Sequence, residues 1–335
     1  MSLEIVVLDN GSSALKGMAL NGKEVVIESL VVKGFKRSAS NGNKADRYSY
    51  SVLENDELVS YAVSPYTMNN EELIVTNNID FQTSTANLIL VTHALKELEI
   101  QQEEVSVVVT LPVSALFDED ENKAQKLLKD VEKNLLRPVT SMDGMTLPVI
   151  KDVRVIAEGV AALAYAKDVL AITGDTFAIA DIGGTTTDIL VIDKFNQIIK
   201  FASPNVGTIA FMSKFADEVS KQCSLPQTLP PHIAKKAFES RSYNGLDLNK
   251  TVERYLDQFK TEVRKEVLSL IGDYSFVDAL IYSGGGAAMI GNDLGPKEFR
   301  TNNPQKDNAN GIFNIVSEQQ PKNLTKDMSD NLEKA

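Results

Sequence analysis

Short runs of apolar residues, each of strand length, alternate along the chain with longer segments that have apolar residues every three to four positions. The runs at residues 3–8, 105–111 and 176–182 predict buried strands, because β-branched and other apolar residues dominate each of them. The segments 118–136 and 248–271 predict amphipathic helices. This alternation of strands with helices predicts an α/β protein.

The same reading predicts the remaining elements. Alternating residues over 48–63 indicate a β-hairpin with Asn55 and Asp56 at its turn. Residues 34–46 are basic and polar and predict an exposed loop, whereas residues 317–335 have few large apolar side chains and predict a flexible tail. Further strands are predicted at 24–32, 153–156, 188–192 and 279–282, and further helices at 86–98, 158–169, 207–222 and 232–241.

The composition narrows the possible chemistry. The 335 residues include 46 acidic and 34 basic ones, a net charge of −12, so direct binding of DNA or anionic lipid is not expected. The single cysteine, Cys223, excludes an internal disulfide, and with only two histidines a site of several cysteine or histidine metal ligands is not expected. We see neither a signal-peptide pattern nor an apolar run of about 20 residues, and therefore expect a cytoplasmic protein without membrane contact.

The first predicted strand ends in a turn suited to phosphate. A glycine lets the backbone approach closely, serine hydroxyls and amides can donate to phosphate oxygens, and Lys16 adds positive charge. Asp9 can hold a hydrated Mg²⁺ ion. An ordinary hairpin turn explains the same residues. The turn consists of Asp9, Asn10, Gly11, Ser12 and Ser13.

A second turn of this kind follows the strand at residues 176–182. Asp181 and Asp188 flank two glycines and three threonines, which is unusual for a turn without function. Its candidate phosphate donors are Gly183, Gly184, Thr185 and Thr186. A third glycine turn follows the strand at 279–282 and can leave room for a nucleobase or ribose, although alone it is a weak signal. It consists of Gly284, Gly285 and Gly286.

Glu158 stands at the start of the predicted alanine-rich helix. One interpretation is structural, because an acidic residue at this position stabilises a helix by about 0.3–1 kcal/mol. The other interpretation is catalytic, because a carboxylate can polarise an attacking water molecule. The physics of this segment alone favours the structural interpretation.

The order of these motifs resembles that of the superfamily of actin, heat-shock chaperones and sugar kinases. Within that superfamily the sequence is most similar to the ParM-type actin-like ATPases of plasmid segregation, over about residues 3–315. The similarity rests on Phe35-Lys36-Arg37, VTNNI at 75–79, VTHAL at 91–95, VTLP at 109–112, IKDV at 150–153, TNNPQ at 301–305 and NG at 310–311. Residues 225–249 have no convincing match, so filament contacts there cannot be transferred.

The resemblance implies an actin-like fold of two lobes, each a duplicated mixed β-sheet flanked by helices, with ATP and Mg²⁺ in the cleft. GTP is an alternative nucleotide, because a glycine turn does not read the base uniquely. Asp9 and Asp181 would be the Mg²⁺-associated carboxylates, partly through water, and Glu158 would orient the hydrolytic water, with Asp181 as its catalytic partner. The expected nucleotide-binding residues are Asp9, Asn10, Gly11, Ser12, Ser13, Lys16, Gly183, Gly184, Thr185, Thr186, Gly207, Thr208, Lys235, Lys236, Gly284, Gly285 and Gly286.

The resemblance also implies a division of the chain into lobe I at residues 1–170, lobe II at 171–316 and the tail at 317–335. Lobe I would contain a small inserted subdomain at about 35–75, and lobe II a helical one at about 209–270. The last helix, near 305–316, would pack back on lobe I.

The implied function is polymerisation into filaments on ATP binding, with hydrolysis destabilising the filament. Plasmid DNA would be segregated through a centromere-bound adaptor of the ParR type, without direct nucleic-acid binding. A small-molecule kinase of the same superfamily is the alternative, although no second-substrate site is evident. A chaperone would need a peptide-binding domain, a shape-determining membrane actin would need an anchor, and a non-hydrolysing scaffold would not need Asp9, Glu158 and Asp181.

Overall fold

The computed structural model describes residues 3–34, 47–63, 73–76, 78–117, 120–195 and 197–319. The Phe35-Lys36-Arg37 match, the loop predicted at 34–46 apart from Gly34, and the tail from residue 320 onward lie outside these residues. Within them the chain forms two five-stranded sheets, a four-stranded sheet and a short two-stranded hairpin.

In the first sheet, neighbouring strands are antiparallel on one side of the central strand and parallel on the other. Its strands are β1 (Glu4–Asn10), β2 (Ala14–Ala19), β3 (Glu24–Glu28), β7 (Glu104–Leu111) and β9 (Val149–Ala157). The strand order is β3-β2-β1-β7-β9, with β1 antiparallel to β2 and parallel to β7. Helices α1 (Thr85–Glu97) and α3 (Glu121–Leu135) cover one face of this sheet and share a core cluster with it, to which α2 (Val113–Leu116) adds Leu116.

The second sheet repeats this topology. Its strands are β10 (Thr176–Ile182), β11 (Thr187–Asp193), β12 (Ile198–Ala202), β15 (Ala279–Ser283) and β16 (Glu298–Arg300). The order β12-β11-β10-β15-β16 again places an antiparallel hairpin beside two parallel strands. The outer face packs on α5 (Thr208–Gln222), α6 (Pro231–Ser240) and α7 (Asn249–Ile271), and a small hairpin of β13 (Ser242–Tyr243) and β14 (Leu246–Asp247) connects the last two helices.

Two helices lie between the sheets: α4 (Val160–Val169) and α8 (Asp307–Gln319). Buried alanines of α4 pack against the second sheet, while Ala309, Ile312 and Val316 of α8 pack against Val7 and Val108 of the first. We call the first sheet with its helices lobe I and the second sheet with its helices lobe II. The prediction of an α/β protein with two lobes, each a mixed sheet flanked by helices, is confirmed.

The smaller sheet corrects one sequence prediction. It consists of β4 (Val31–Lys33), β5 (Ser49–Glu54), β6 (Glu57–Val63) and β8 (Val139–Ser141), in the order β4-β6-β5-β8. The single strand predicted at 24–32 is wrong, because the chain leaves the first sheet at Ser29. The backbone N–H of Ser29 donates to Ser13 O at 3.0 Å, and Val31 starts the smaller sheet.

Other boundaries differ from the sequence prediction for identifiable reasons. The alanine-rich helix begins at Val160, because Gly159 before it has φ +82. The last helix continues to Gln319, so the predicted tail begins with helical residues. Strands β2, β8, β12 and β16 were not predicted. Of these, β8 and β16 have only three residues each, and β12 has five residues, none of them fully buried. No helix in the described ranges is long and apolar enough to span a bilayer.

Candidate functional site

The turns of two equivalent hairpins meet between the lobes. The β1–β2 turn carries Ser12 and the β10–β11 turn carries Thr185, and their hydroxyl oxygens are 2.8 Å apart. Gly184 packs so closely on the opposite turn that a Cβ there would lie 2.7 Å from the Cβ of Ser13. Two sequence segments more than 170 residues apart therefore form one surface.

The first turn is braced from behind by lobe I. Asn10 is fully buried; its amide nitrogen donates to Gln82 Oε1 at 2.6 Å, and its oxygen accepts from the Thr110 backbone N–H at 2.9 Å. The Ser29 hydroxyl donates to Gly11 O at 2.7 Å. Both ends of the Asn10 side-chain amide are therefore bonded to other protein groups, and these bonds hold the turn in place.

Asp9 and Lys16 form a buried ion pair across the first hairpin. Lys16 Nζ lies 3.0 Å from Asp9 Oδ2, and Thr110 Oγ1 donates to Asp9 Oδ1 at 3.1 Å. Burial acts to lower the pKa of Lys16, but the charge and hydrogen bond of Asp9 more than offset it, so this pKa is raised. Lys16 is therefore a charged lysine paired with Asp9 beside the turn.

The second hairpin places two carboxyl groups opposite each other. Asp181 and Asp188 are cross-strand partners, and both are at least 95% buried, being 5% and 1% exposed. Burial, together with the charges of Asp9 and Asp188, raises the pKa of Asp181 to about 7, although a hydrogen bond from Asn308 acts against it. Burial also raises the pKa of Asp188, which accepts from Ser203 Oγ at 2.5 Å and from a threonine of the turn.

Glu158 lies between the two hairpins. Its backbone N–H donates to Leu111 O at 2.8 Å, and its carboxyl is within 3.5 Å of Thr110 Oγ1. Burial and then the charges of Asp188, Asp9 and Asp181 raise the pKa of Glu158 well above its ordinary value. Because it precedes Gly159 rather than standing inside the helix, the helix-dipole interpretation from the sequence is not supported.

A cleft of about 790 Å³ opens beside these groups. It is lined by Glu158, by both turns, and by side chains of lobe I that include Lys123 and Lys126 of α3. The predicted residues that the structure brings together here are Gly11, Ser12, Glu158, Gly183, Gly184, Thr185 and Thr186.

The amides at the start of α5 contact the second turn instead of the cleft. The N–H groups of Thr208 and Ile209 donate to the carbonyls of Gly183 and Gly184 at 3.1 and 2.8 Å. A Cβ at Gly207 would lie 2.3 Å from Gly184 O, so only glycine permits this packing. Gly207 and Thr208 thus support the second turn, and the amides of Thr208 and Ile209 already donate to the protein's own carbonyls.

The third glycine turn lies directly behind Asp181. Gly284 has φ +83, and a Cβ there would lie 2.3 Å from Asp181 Oδ1. Gly286 is equally crowded by Ile182, whereas Gly285 is exposed and has open space around it. The turn therefore holds the second hairpin in place and offers one free glycine at the surface.

The two lysines predicted beside adenosine are separate from these turns. Lys235 on α6 forms an ion pair with Glu28 of β3 and so links lobe II to lobe I. Lys236 is exposed on the same helix. Neither lines the cleft described above.

The carboxylates fit a magnesium ion held mainly through water and phosphate. Among the described residues, no group of three or more histidine, cysteine, aspartate or glutamate side chains is arranged to hold a metal ion directly. Mg²⁺ commonly binds to proteins through one or two carboxylates, with water and substrate phosphates as its other ligands. Asp9 and Asp181 are buried, negatively charged when ionised and close enough to influence each other, which fits that arrangement.

Sequence reasoning missed two residues of the site. Thr110 contacts Asp9, Asn10 and Glu158 from the end of β7. A polar residue at the carboxyl end of a buried strand beside β1 is a usable signal, since parallel strands end at the same edge. Asn308 contacts Asp181 from α8, and no local sequence pattern marks it.

Comparisons with known proteins agree with this architecture. Residues 3–169 match the family model "Plasmid segregation protein ParM, N-terminal", and residues 179–295 match "Archaeal actin homologue MreB-like, C-terminal". No curated protein matches the sequence.

Solved structures match along nearly the whole chain. A 15-stranded ParM filament from Clostridium botulinum matches with a TM-score of 0.75 at 19% identity, covering 95% of this chain and 100% of that one. An archaeal actin homologue in complex with ADP matches with a TM-score of 0.75 at 18% identity and the same coverage. Bacillus thuringiensis ParM with ATP matches with a TM-score of 0.63 at 15% identity, covering 96% and 100%. The chain therefore belongs to the actin-like protein family, with an N-terminal half of the ParM type.

Proposed function

We propose that this protein is a cytoplasmic ATPase that polymerises into filaments on binding ATP and depolymerises after hydrolysis. The observation that carries this proposal is the convergence of two phosphate-type turns from opposite lobes, with Ser12 and Thr185 in contact at 2.8 Å beside Glu158. Hydroxyl and amide donors on both sides of a cleft suit a polyphosphate, which has acceptor oxygens on all sides.

The chemistry follows from the charges of the site. A water molecule must lose a proton as it attacks phosphorus, and a base with a pKa raised toward neutrality is the most effective acceptor. Glu158 lines the cleft beside both turns, and its pKa is raised by burial, so we assign this role to it. Mg²⁺, when bound, supplies positive charge that stabilises the phosphate oxygens, and Asp9 and Asp181 would hold it largely through its water ligands.

Polymerisation follows from differential affinity for the closed cleft. A nucleotide shifts the equilibrium between open and closed lobes only to the extent that it binds the closed form more tightly. A bound triphosphate would contact donors from both lobes, so loss of its terminal phosphate would weaken this preference. A subunit with a changed outer surface then meets its neighbours head to tail, an arrangement that generates an open helix. A ParM filament is among the structures that share this fold.

We further propose that the filament segregates plasmid DNA through a DNA-binding adaptor of the ParR type. The match of residues 3–169 to the plasmid segregation family supports this proposal. The net charge of −12 supports an indirect attachment, because DNA binding depends on clustered positive charge. Filaments incubated with plasmid DNA alone should leave the DNA in the supernatant after sedimentation; co-sedimentation without an adaptor would refute indirect attachment.

The deciding experiment follows right-angle light scattering and phosphate release in one sample after Mg·ATP is added. We expect scattering to rise and then decay, with phosphate release following the polymer. Parallel samples with ADP and with GTP test whether polymerisation requires the triphosphate and the adenine base. The Asp181→Ala variant should bind and hydrolyse Mg·ATP more weakly than the wild type. Scattering that stays flat at every protein concentration would refute the filament and would direct the search to transfer of phosphate to small molecules.

A further inference from the structure

Asn308, at the start of α8, hydrogen-bonds to a residue from each side of the cleft. Its Nδ2 donates to Asp181 Oδ2 of lobe II, and its Oδ1 accepts from the backbone N–H of Gly159 at 3.0 Å. The side chain is 4% exposed, so bulk water does not compete for either bond. One amide group therefore joins a carboxylate of the site to the residue that follows Glu158.

Close packing surrounds both Gly159 and the helix α8 that carries Asn308. Gly159 has φ +82, and a Cβ there would lie 2.6 Å from Leu190 Cδ1, so only glycine fits this close packing. On α8, Gly311 packs so tightly that a Cβ would lie 2.0 Å from Ala161 O of α4. Asn308 is thus presented by a helix that cannot shift away from α4 without losing close contact.

We propose that Asn308 is a positioning residue that fixes the spacing between the Asp181 carboxylate and Glu158. The inference rests on the proposed ATPase function. The carboxyl groups repel one another when ionised, and the Asn308 amide is a neutral group that satisfies Asp181 and holds the Glu158–Gly159 turn at once. Displacement of a reacting group by about 1 Å can cost on the order of 100-fold in rate, so this spacing matters for turnover.

Two substitutions separate the two hydrogen bonds. Asn308→Ala removes both of them. Asn308→Asp is nearly isosteric and keeps an oxygen to accept from Gly159, but it replaces the donor to Asp181 with a second carboxylate oxygen. Asn314→Ala is the matched control, because Asn314 is an exposed asparagine on the same helix.

The first measurement is amide hydrogen exchange at Gly159 in nucleotide-free protein. Loss of a buried hydrogen bond should speed exchange about 10-fold in Asn308→Ala, whereas Asn308→Asp and Asn314→Ala should stay close to the wild type. Unchanged exchange in Asn308→Ala would show that the bond is absent in solution and would overturn the inference.

The second measurement compares turnover with nucleotide affinity. Supporting groups of this kind typically contribute about 10–100-fold, so kcat should fall by that factor in both Asn308 variants while the Kd for Mg·ADP changes less than twofold. A parallel fall in kcat, in affinity for Mg·ADP and in melting temperature would show a purely structural role and overturn the inference. Absence of turnover in the wild type would refute the proposed ATPase alone, because the exchange measurement still decides whether Asn308 makes its connection.

Discussion

The two hairpins that carry the phosphate-type turns share a backbone arrangement but differ in charge at one position. In each hairpin the aspartate before the turn pairs across the strands with the residue after the turn. That partner is Lys16 opposite Asp9 in lobe I, and Asp188 opposite Asp181 in lobe II. The first pair is an ion pair of 3.0 Å, and the second is a pair of buried carboxyl groups.

This difference shows that one backbone motif can serve two electrostatic purposes. Lys16 neutralises Asp9, so the first hairpin adds little net charge to the cleft. The second hairpin has no such cation, and burial with nearby negative charge raises the pKa of Asp181 to about 7. Lobe II therefore presents carboxyl groups that must either keep a proton or be balanced by a cation such as Mg²⁺.

We expect the largest effect from substitution of Glu158, whose pKa is raised by burial and by charged groups of both hairpins. Glu158→Ala removes the proposed base, and phosphate release should fall about 10²–10⁴-fold. ATP-dependent scattering should persist, because the turns that contact the nucleotide remain. Glu57→Ala, at an exposed glutamate, is the control. Normal hydrolysis by filaments of the Glu158 variant would remove this residue from the mechanism.

Breaking the ion pair of lobe I tests the first half of the comparison. Lys16→Ala leaves Asp9 buried without its cation, and the free energy of unfolding should fall by about 3–5 kcal/mol. Lys23→Ala is matched to it, because Lys23 pairs with Glu99 at the surface, and its removal should cost less than about 1 kcal/mol. Chemical denaturation measures both; equal losses would mean that burial does not distinguish the two pairs.

The pH dependence of stability tests the second half. A carboxyl group whose pKa is raised on folding binds more protons in the folded state, so stability falls as pH rises between the two pKa values. For Asp181 this window extends from 3.8 to about 7, and Asp307, whose pKa burial also raises to about 7, acts in the same direction.

The nucleotide-free protein should therefore lose stability from about pH 4 to about pH 7, as measured by denaturation at a series of pH values. Asp188→Asn removes a neighbouring charge and should reduce this loss by on the order of 1 kcal/mol. Stability that instead rises with pH over the same window would show that these carboxyl groups are ionised in the folded protein.

The surface contact between the lobes should have the smallest effect. Lys235 pairs with Glu28 at an exposed position, so Lys235→Ala should change the Kd for ADP less than twofold, as should Lys236→Ala. Isothermal titration measures both variants. A tenfold loss of affinity in Lys235→Ala alone would instead support the sequence prediction that this lysine lies beside adenosine.

Local sequence was sufficient for the parts of the site that lie in one short segment. The glycines and hydroxyl residues after the strands at 3–8 and 176–182 predicted the two turns, because only such residues combine tight backbone geometry with several donors. Their duplication and the resemblance predicted the two-lobed fold, which the structure and the matching solved structures confirm. Whether the predicted residues bind nucleotide stays a prediction.

Residues whose role depends on a distant partner could not be found in this way. The pleat of the hairpin sets Lys16 opposite Asp9, a contact that the sequence did not predict, and whether Lys16 also faces phosphate stays a prediction. The amide of Thr208, expected at the nucleotide, donates to a carbonyl of the second turn, and a nucleotide contact of Gly207 stays a prediction. In both cases the hydrogen-bond partner within the protein lies on another strand or loop, and the spacing of residues in the sequence does not reveal it.

The sequence by itself determined the alternation of strands and helices, the two turns and the excess of negative charge. Tertiary structure decided which charges meet. Asp188 acts on Glu158 only because β10 and β11 are in register, and Asn308 reaches Asp181 only because α8 returns to lie between the lobes. Electrostatic and hydrogen-bond energies depend on distance and burial in space, and both are set when the two sheets pack around α4 and α8.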